Sequence, residues 1–144
     1  MKDTFVREWM TANPVVVSSR TSLPEAHKLM TERKIRRLLV VDEGRLVGII
    51  TRGDVRGAQP SGATTLSIYE LNYLLARLTL GEIMTKNPVS VTPDTPIREA
   101  ARLMLEKKIA GLPVLEGDRV VGIITESDIF RFVVKAWDAE GAQR

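Results

Sequence analysis

Apolar positions change their period along the chain, and each change marks an element. Val15-Val16-Val17 is a run of branched residues and predicts a short strand after the turn signal Asn13-Pro14, with the short apolar segment Val6–Met10 ahead of it. Leu23, Ala26, His27 and Met30 then follow the i, i+3, i+4, i+7 spacing of one helical face, with Thr21 or Ser22 placed to cap it. Leu38-Leu39-Val40-Val41 predicts a buried strand, Asp42–Arg45 a turn, and Leu46–Ile50 a second strand, which together make an antiparallel hairpin. A closing helix starts at Thr51 and is cut short by Gly57 and Pro60.

The same order then returns. Thr95 is placed to cap a helix with Pro96 in its first turn and Ile97, Ala100, Ala101 and Met104 on one face. Leu112–Leu115, Glu116–Arg119 and Val120–Ile124 form a second hairpin, and a helix from Thr125 runs through Ile129, Phe130, Val133, Val134 and Trp137. Residues 6–56 lie over 80–130 at an offset of 74 with no gap, and roughly half the pairs from Met10 onward are identical. Gly48-Ile-Ile-Thr-Arg-Gly-Asp54 thus reappears as Gly122-Ile-Ile-Thr-Glu-Ser-Asp128.

The fold class is α/β (α+β), two pseudo-symmetric β-α-β-β-α repeats: 1–58 the first repeat, 59–79 a linker and inter-repeat helix, 80–138 the second repeat, 139–144 a tail. Copies of this size are too small to hold a good core singly and should pack on each other. Residues 57–66 are turn formers, and Ser67 with Glu70 makes a capping box ahead of a stripe, Leu71, Leu74, Leu75 and Leu78. Such stripes are mostly core, and a dimer contact is the lesser expectation.

Composition narrows the function classes. Apolar content of 44% and charged content of 27% describe an ordinary soluble globular chain, and no apolar run reaches the ~20 residues that span a bilayer. Charges in Met1–Glu8 occupy the place of a signal peptide's apolar core, so a cytoplasmic address is expected, and the absence of cysteine removes disulfides, thiolate metal sites and thiol catalysis. A net charge of +3 favours phosphates or acidic partners mildly, but seven scattered aromatics (Trp 2, Tyr 2, Phe 3) argue against nucleic-acid binding.

Thr51 with Asp54, and Thr125 with Asp128, follow a strand and open a helix. A hydroxyl with an acid three residues on is the signature of a reciprocal helix cap and needs no ligand. The same pair can serve a ligand, the hydroxyl donating a hydrogen bond and the carboxylate accepting from ribose hydroxyls. Nothing local separates the two. Arg36 and Arg37 precede the first repeat's hairpin where the second has Ala110 and Gly111; a pair of arginines can hold phosphate oxygens, though arginines flanking a surface strand are commonly solvated. His27, the single histidine, reads as packing, Glu25, Glu32, Glu99 and Glu106 as solvated helix faces, and no metal spacing or glycine-rich phosphate loop is present. An enzyme is not expected.

The doubled Met-Thr-x-Asn-Pro lead-in at Met10 and Met84, Leu112-Pro-Val, and the doubled Gly-Ile-Ile-Thr-x-x-Asp closely resemble the cystathionine β-synthase (CBS) domain family as a tandem pair, or Bateman module. Ser67–Leu75 is similar to the acetoin-utilisation type. The resemblance implies repeats packed sheet to sheet with two clefts, a regulatory role with no catalytic cofactor, and AMP, ADP, ATP or S-adenosylmethionine as ligand. One cleft would use Ile49, Thr51, Asp54 and Arg36 or Arg37, completed by Thr85, Pro88, Ser90, Ile109 and Ala110. The other would use Ile123, Thr125 and Asp128, completed by Thr11, Pro14, Val16, Ile35 and Arg36, with Arg37 close by. A homodimer and a fused or separate effector domain are further implications; a ligand-free dimerisation module and a nucleic-acid-binding protein of this family are the alternatives.

Overall fold

The computed structural model describes residues 3–58 and 67–142, so Pro60 and most of the expected linker lie outside the described residues. In chain order a 3-10 turn (Val6–Glu8) precedes β1 (Thr11–Ala12), β2 (Val16–Val17), α1 (Leu23–Arg33), β3 (Arg37–Asp42), β4 (Arg45–Thr51), α2 (Arg52–Gly57), α3 (Ile68–Arg77), α4 (Leu80–Ile83), β5 (Thr85–Lys86), α5 (Ile97–Lys107), β6 (Gly111–Glu116), β7 (Arg119–Thr125) and α6 (Glu126–Ala142). The chain divides into two compact units, Val15–Pro88 and Met1–Pro14 with Val89–Arg144, so the spatial division does not follow the sequence repeats. Each repeat's lead-in belongs to the unit that holds the other repeat's hairpin.

In the Val15–Pro88 unit the sheet order is β2-β3-β4-β5. The β3–β4 hairpin closes at Asp42↔Arg45 with Glu43 and Gly44 both at positive φ, the backbone twist that two-residue hairpin loops need. Alternation puts Leu38, Val40 and Ile50 on one face, where they are fully buried with Leu23, Ala26 and Met30 of α1, Val55 of α2 and Leu80 of α4. Burying apolar area of this kind is worth about 25 cal/mol per Å2 and is what holds helices to the sheet. Ser22 is the cap of α1, its Oγ accepting from Glu25 N at 3.3 Å. The lead-in is fastened by backbone bonds: Leu80 N donates to Thr21 O (2.9 Å), Gly81 N to Ser19 O (2.9 Å), and Leu23 N to Leu78 O (3.0 Å).

The other unit repeats this plan with sheet order β1-β7-β6 and a single parallel bridge, Val91↔Val114, in place of β2. Its core is Val6, Val91, Ile97, Ala100, Met104, Leu112, Val114 and Ile124. The fastening bonds recur at the offset of 74: Val6 N to Thr95 O (2.8 Å), Arg7 N to Pro93 O (3.0 Å), Ile97 N to Thr4 O (2.8 Å). Trp9 meets Phe132 of α6 edge-on at 5.7 Å.

Three sequence expectations are corrected. Thr95 does not cap α5: Pro96 stands at the cap with no side-chain bond, and Thr95 Oγ1 accepts from Thr92 N instead. His27 is exposed; Leu23, Ala26 and Met30 fill the core without it. The α3 stripe is only half used, since Leu75 and Leu78 meet the core while Leu74 is 48% exposed and α3 has no buried residue. The second repeat's closing helix runs through Ile129–Trp137 as expected, with Phe130, Val134 and Trp137 exposed.

Candidate functional site

Thr51 ends β4 in extended conformation and its Oγ1 accepts from Asp54 N at 3.1 Å, while Asp54 Oδ2 accepts from Thr51 N at 2.8 Å. This is the reciprocal cap the spacing allowed. The Thr51 hydroxyl uses a lone pair there and keeps its proton for another acceptor. Cross-strand register brings further predicted residues into the same neighbourhood. Val16, Leu39, Ile49 and Thr85 form one row across the sheet through the pairs Val16↔Leu39, Leu39↔Ile49 and Ile49↔Thr85, on the face turned away from Leu38, Val40 and Ile50. Arg37 pairs with Thr51, and Arg36 O accepts from Arg52 N at 2.8 Å, which places Ile35, Arg36 and Arg37 beside the first turn of α2. Arg36 is exposed and Arg37 half-buried.

The second unit assembles the counterparts. Thr11 pairs with Ile123 and Ile123 with Pro113, while Val91 N donates to Pro113 O at 3.0 Å and sets Ser90 next to that row. Gly111 pairs with Thr125, and Ala110 O accepts from Glu126 N at 3.0 Å, so Ile109 and Ala110 lie beside the start of α6. Pro14 follows Asn13 in this unit, and Pro88 follows Asn87 in the other. Thus Val16, Ile35, Arg36, Arg37, Thr85 and Pro88 share a unit with Ile49, Thr51 and Asp54; Thr11, Pro14, Ser90, Ile109 and Ala110 share one with Ile123, Thr125 and Asp128.

Two doubled residues of the motifs have a physical role that the sequence reading did not assign. A Cβ on Gly48 would come within 2.3 Å of Met84 Sδ and 3.0 Å of Thr85 O; one on Gly122 would meet Met10 Sδ at 2.6 Å and Thr11 O at 3.0 Å. The repeated glycine is therefore the slot in which each lead-in strand lies, and the doubled Gly itself was the available signal. Asn13 and Asn87 take φ of 52° and 49°, a left-handed turn that asparagine tolerates, which explains the doubled Asn-Pro. Chemically, each Thr/Asp pair combines a hydroxyl, a carboxylate and strand backbone. Among the described residues no three His, Asp or Glu side chains gather as a metal site, and no helix is long and apolar enough to cross a membrane.

The profile of the CBS domain matches twice, over residues 6–61 and 80–135. The chain belongs to the CBS domain family. Among solved CBS pairs it is similar to that of protein MJ0100, determined with 5′-methylthioadenosine and S-adenosyl-L-methionine, at 33% identity and a TM-score of 0.78 over 94% of this chain and 99% of that one. It resembles AcuB, a protein of Vibrio cholerae assigned to acetoin utilization (30% identity, TM-score 0.78, 96% of each chain). It also resembles CBSX2 of Arabidopsis thaliana in complex with AMP (31% identity, TM-score 0.74, 92% and 97%). Among curated relatives, a homoserine O-acetyltransferase of Methanohalobium evestigatum is 34% identical over 92% of this chain. The CBS pair spans about a quarter of that relative's length, 25%.

Proposed function

We propose that this CBS pair is a non-catalytic regulatory module that binds an adenosine-based ligand, AMP, ADP, ATP or S-adenosylmethionine, and reports it to an effector domain, fused or separate. The observation that carries this reading is that CBS pairs similar over nearly the whole chain, at 31–33% identity, were solved holding AMP, 5′-methylthioadenosine and S-adenosyl-L-methionine. The Thr/Asp pairs support it: Asp54 and Asp128 would accept from ribose hydroxyls, the threonines would meet ribose or phosphate, and Ile49 and Ile123 would lie against adenine. Arg36 and Arg37 give the first repeat cations that the second, with Ala110 and Gly111, lacks. The remaining predicted residues, Thr11, Pro14, Val16, Ile35, Thr85, Pro88, Ser90 and Ile109, would complete the ligand's surroundings. Output follows from population shift, limited to the ligand's difference in affinity between two conformations. The module works in the cytoplasm as a homodimer, for which the exposed Phe130, Val134 and Trp137 on one face of α6 offer a surface.

Asp54→Ala and Asp128→Ala test the reading. Each should remove one binding event in calorimetric titration with AMP or S-adenosylmethionine, and unchanged stoichiometry in both would refute it. A ligand-free dimerisation module is the second reading, favoured by one fact: Thr51 and Asp54 satisfy each other in a reciprocal helix cap, a purely structural use of the pair. Nucleic-acid binding would need steep salt dependence, and no binding at low salt dismisses it.

A further inference from the structure

The two Thr/Asp pairs are not in the same state. Asp128 is 3% exposed and both its oxygens are engaged: Oδ2 accepts from Thr125 N (2.9 Å) and from the Thr125 hydroxyl (3.2 Å), and Oδ1 accepts from Arg131 Nη2, one turn along α6. In the first repeat the residue at the position of Arg131 is Gly57, which has no side chain to offer, and Asp54 is only half-buried. The hydroxyls differ as well. Thr51 Oγ1 accepts from Asp54 N and retains its proton, whereas Thr125 spends its proton on Asp128. A vicinal diol brings two O–H donors and needs free acceptor positions on a carboxylate. Among the described residues Asp54 accepts a single bond and has positions to give; Asp128 already accepts three, one of them from a guanidinium, the stronger kind of donor, and keeps too few for both donors of a diol.

We infer that Arg131 is an occupancy-determining residue: it holds the second repeat's acceptor closed, so an adenosine-based ligand fills the Asp54 site first and reaches Asp128 only by displacing Arg131. The Arg131 side chain is 63% exposed, so it can swing into water when displaced. This inference rests on the nucleotide reading above, and a reciprocal exchange tests it. Gly57 accepts a side chain, because a Cβ built there meets nothing within 4 Å.

The full chain is titrated calorimetrically with AMP, ADP, ATP and S-adenosylmethionine as wild type, Arg131→Ala and Gly57→Arg, with ligand-free melting curves to verify folding. Breaking a charge-assisted bond should cost about tenfold in affinity or more. The wild type should therefore show one tighter and one weaker event, and Arg131→Ala should tighten the weaker event by about that factor. Gly57→Arg should weaken the tighter event, and Asp54→Ala should abolish it. Two equal events in the wild type, unmoved by either exchange in folded proteins, would overturn the role of Arg131 and leave nucleotide binding standing. No heat with any of the four ligands in any of these proteins would overturn the nucleotide reading, and this inference with it.

Discussion

Gly48 and Gly122 do their work by what they lack. At each, a methyl group would press on a methionine sulfur and on a backbone carbonyl 3.0 Å away, and while the methionine can swing aside the carbonyl of the paired strand cannot. Gly122→Ala should therefore destabilise the fold by about 1–3 kcal/mol, the usual cost of overfilling a tight contact. The check is a lower urea midpoint at unchanged slope; an unmoved midpoint would mean that β1 yields freely. At Asp42, the Ser19 side-chain and backbone hydrogen bonds hold the carboxyl below its ordinary 3.8. A group lowered on folding contributes stability above its unfolded value and loses it as pH falls through the folded one. Stability should thus fall as pH drops below 3.8, and Ser19→Ala should flatten that part of the curve, measured by thermal melts from pH 5 to 2. The Thr-x-x-Asp spacing was legible in the chain, yet its two meanings were not separable, because cap and ligand use the same atoms. Arg131 was beyond reach: one turn along a helix any arginine is ordinarily solvated, and only the structure turns it onto Asp128.

Helices and strands followed the hydrophobic period closely where the period was strong. Both hairpins, α1, α5 and the contrast between a six-residue α2 and a 17-residue α6 are all visible in the placement of branched residues, glycine and proline. Single capping residues held at Ser22 and Ser67, and misled at Thr95. Proline has no N–H to satisfy, so it could stand at the cap of α5 unaided and leave Thr95 to the preceding turn. On α3, apolar spacing alone could not say how much of the stripe reaches the core; Leu75 and Leu78 pack against it, while Leu74 is exposed. At α2 the cap is fully formed, and Thr51→Ala should cost about 0.5–2 kcal/mol. Measuring this in ligand-free protein separates the capping contribution from any effect on binding. No loss of stability would show that the hydroxyl contributes nothing as a cap.

At the scale of the molecule, the pairing least visible in the sequence is the exchange of lead-ins. β1 pairs with β7 and β5 with β4, so each hairpin is completed by a strand from the other repeat. No local pattern encodes which distant strand a two-residue lead-in will join, as Thr11 joins Ile123, whereas the duplication itself, and with it the family, was plain from the offset of 74. Because each unit is closed by the other repeat's strand, neither repeat should be stable when expressed alone, and residues 80–138 by themselves should lack cooperative melting; a sharp transition would contradict this. The central claim is that the CBS pair takes an adenosine-based ligand. Its most direct measurement is the melting temperature of the full chain with AMP, ADP, ATP or S-adenosylmethionine, paired with calorimetric titration. A ligand at about 100 times its dissociation constant should add about 2.7 kcal/mol per site, a clear upward shift with saturable heat. An unchanged melting temperature and no heat with all four would contradict it.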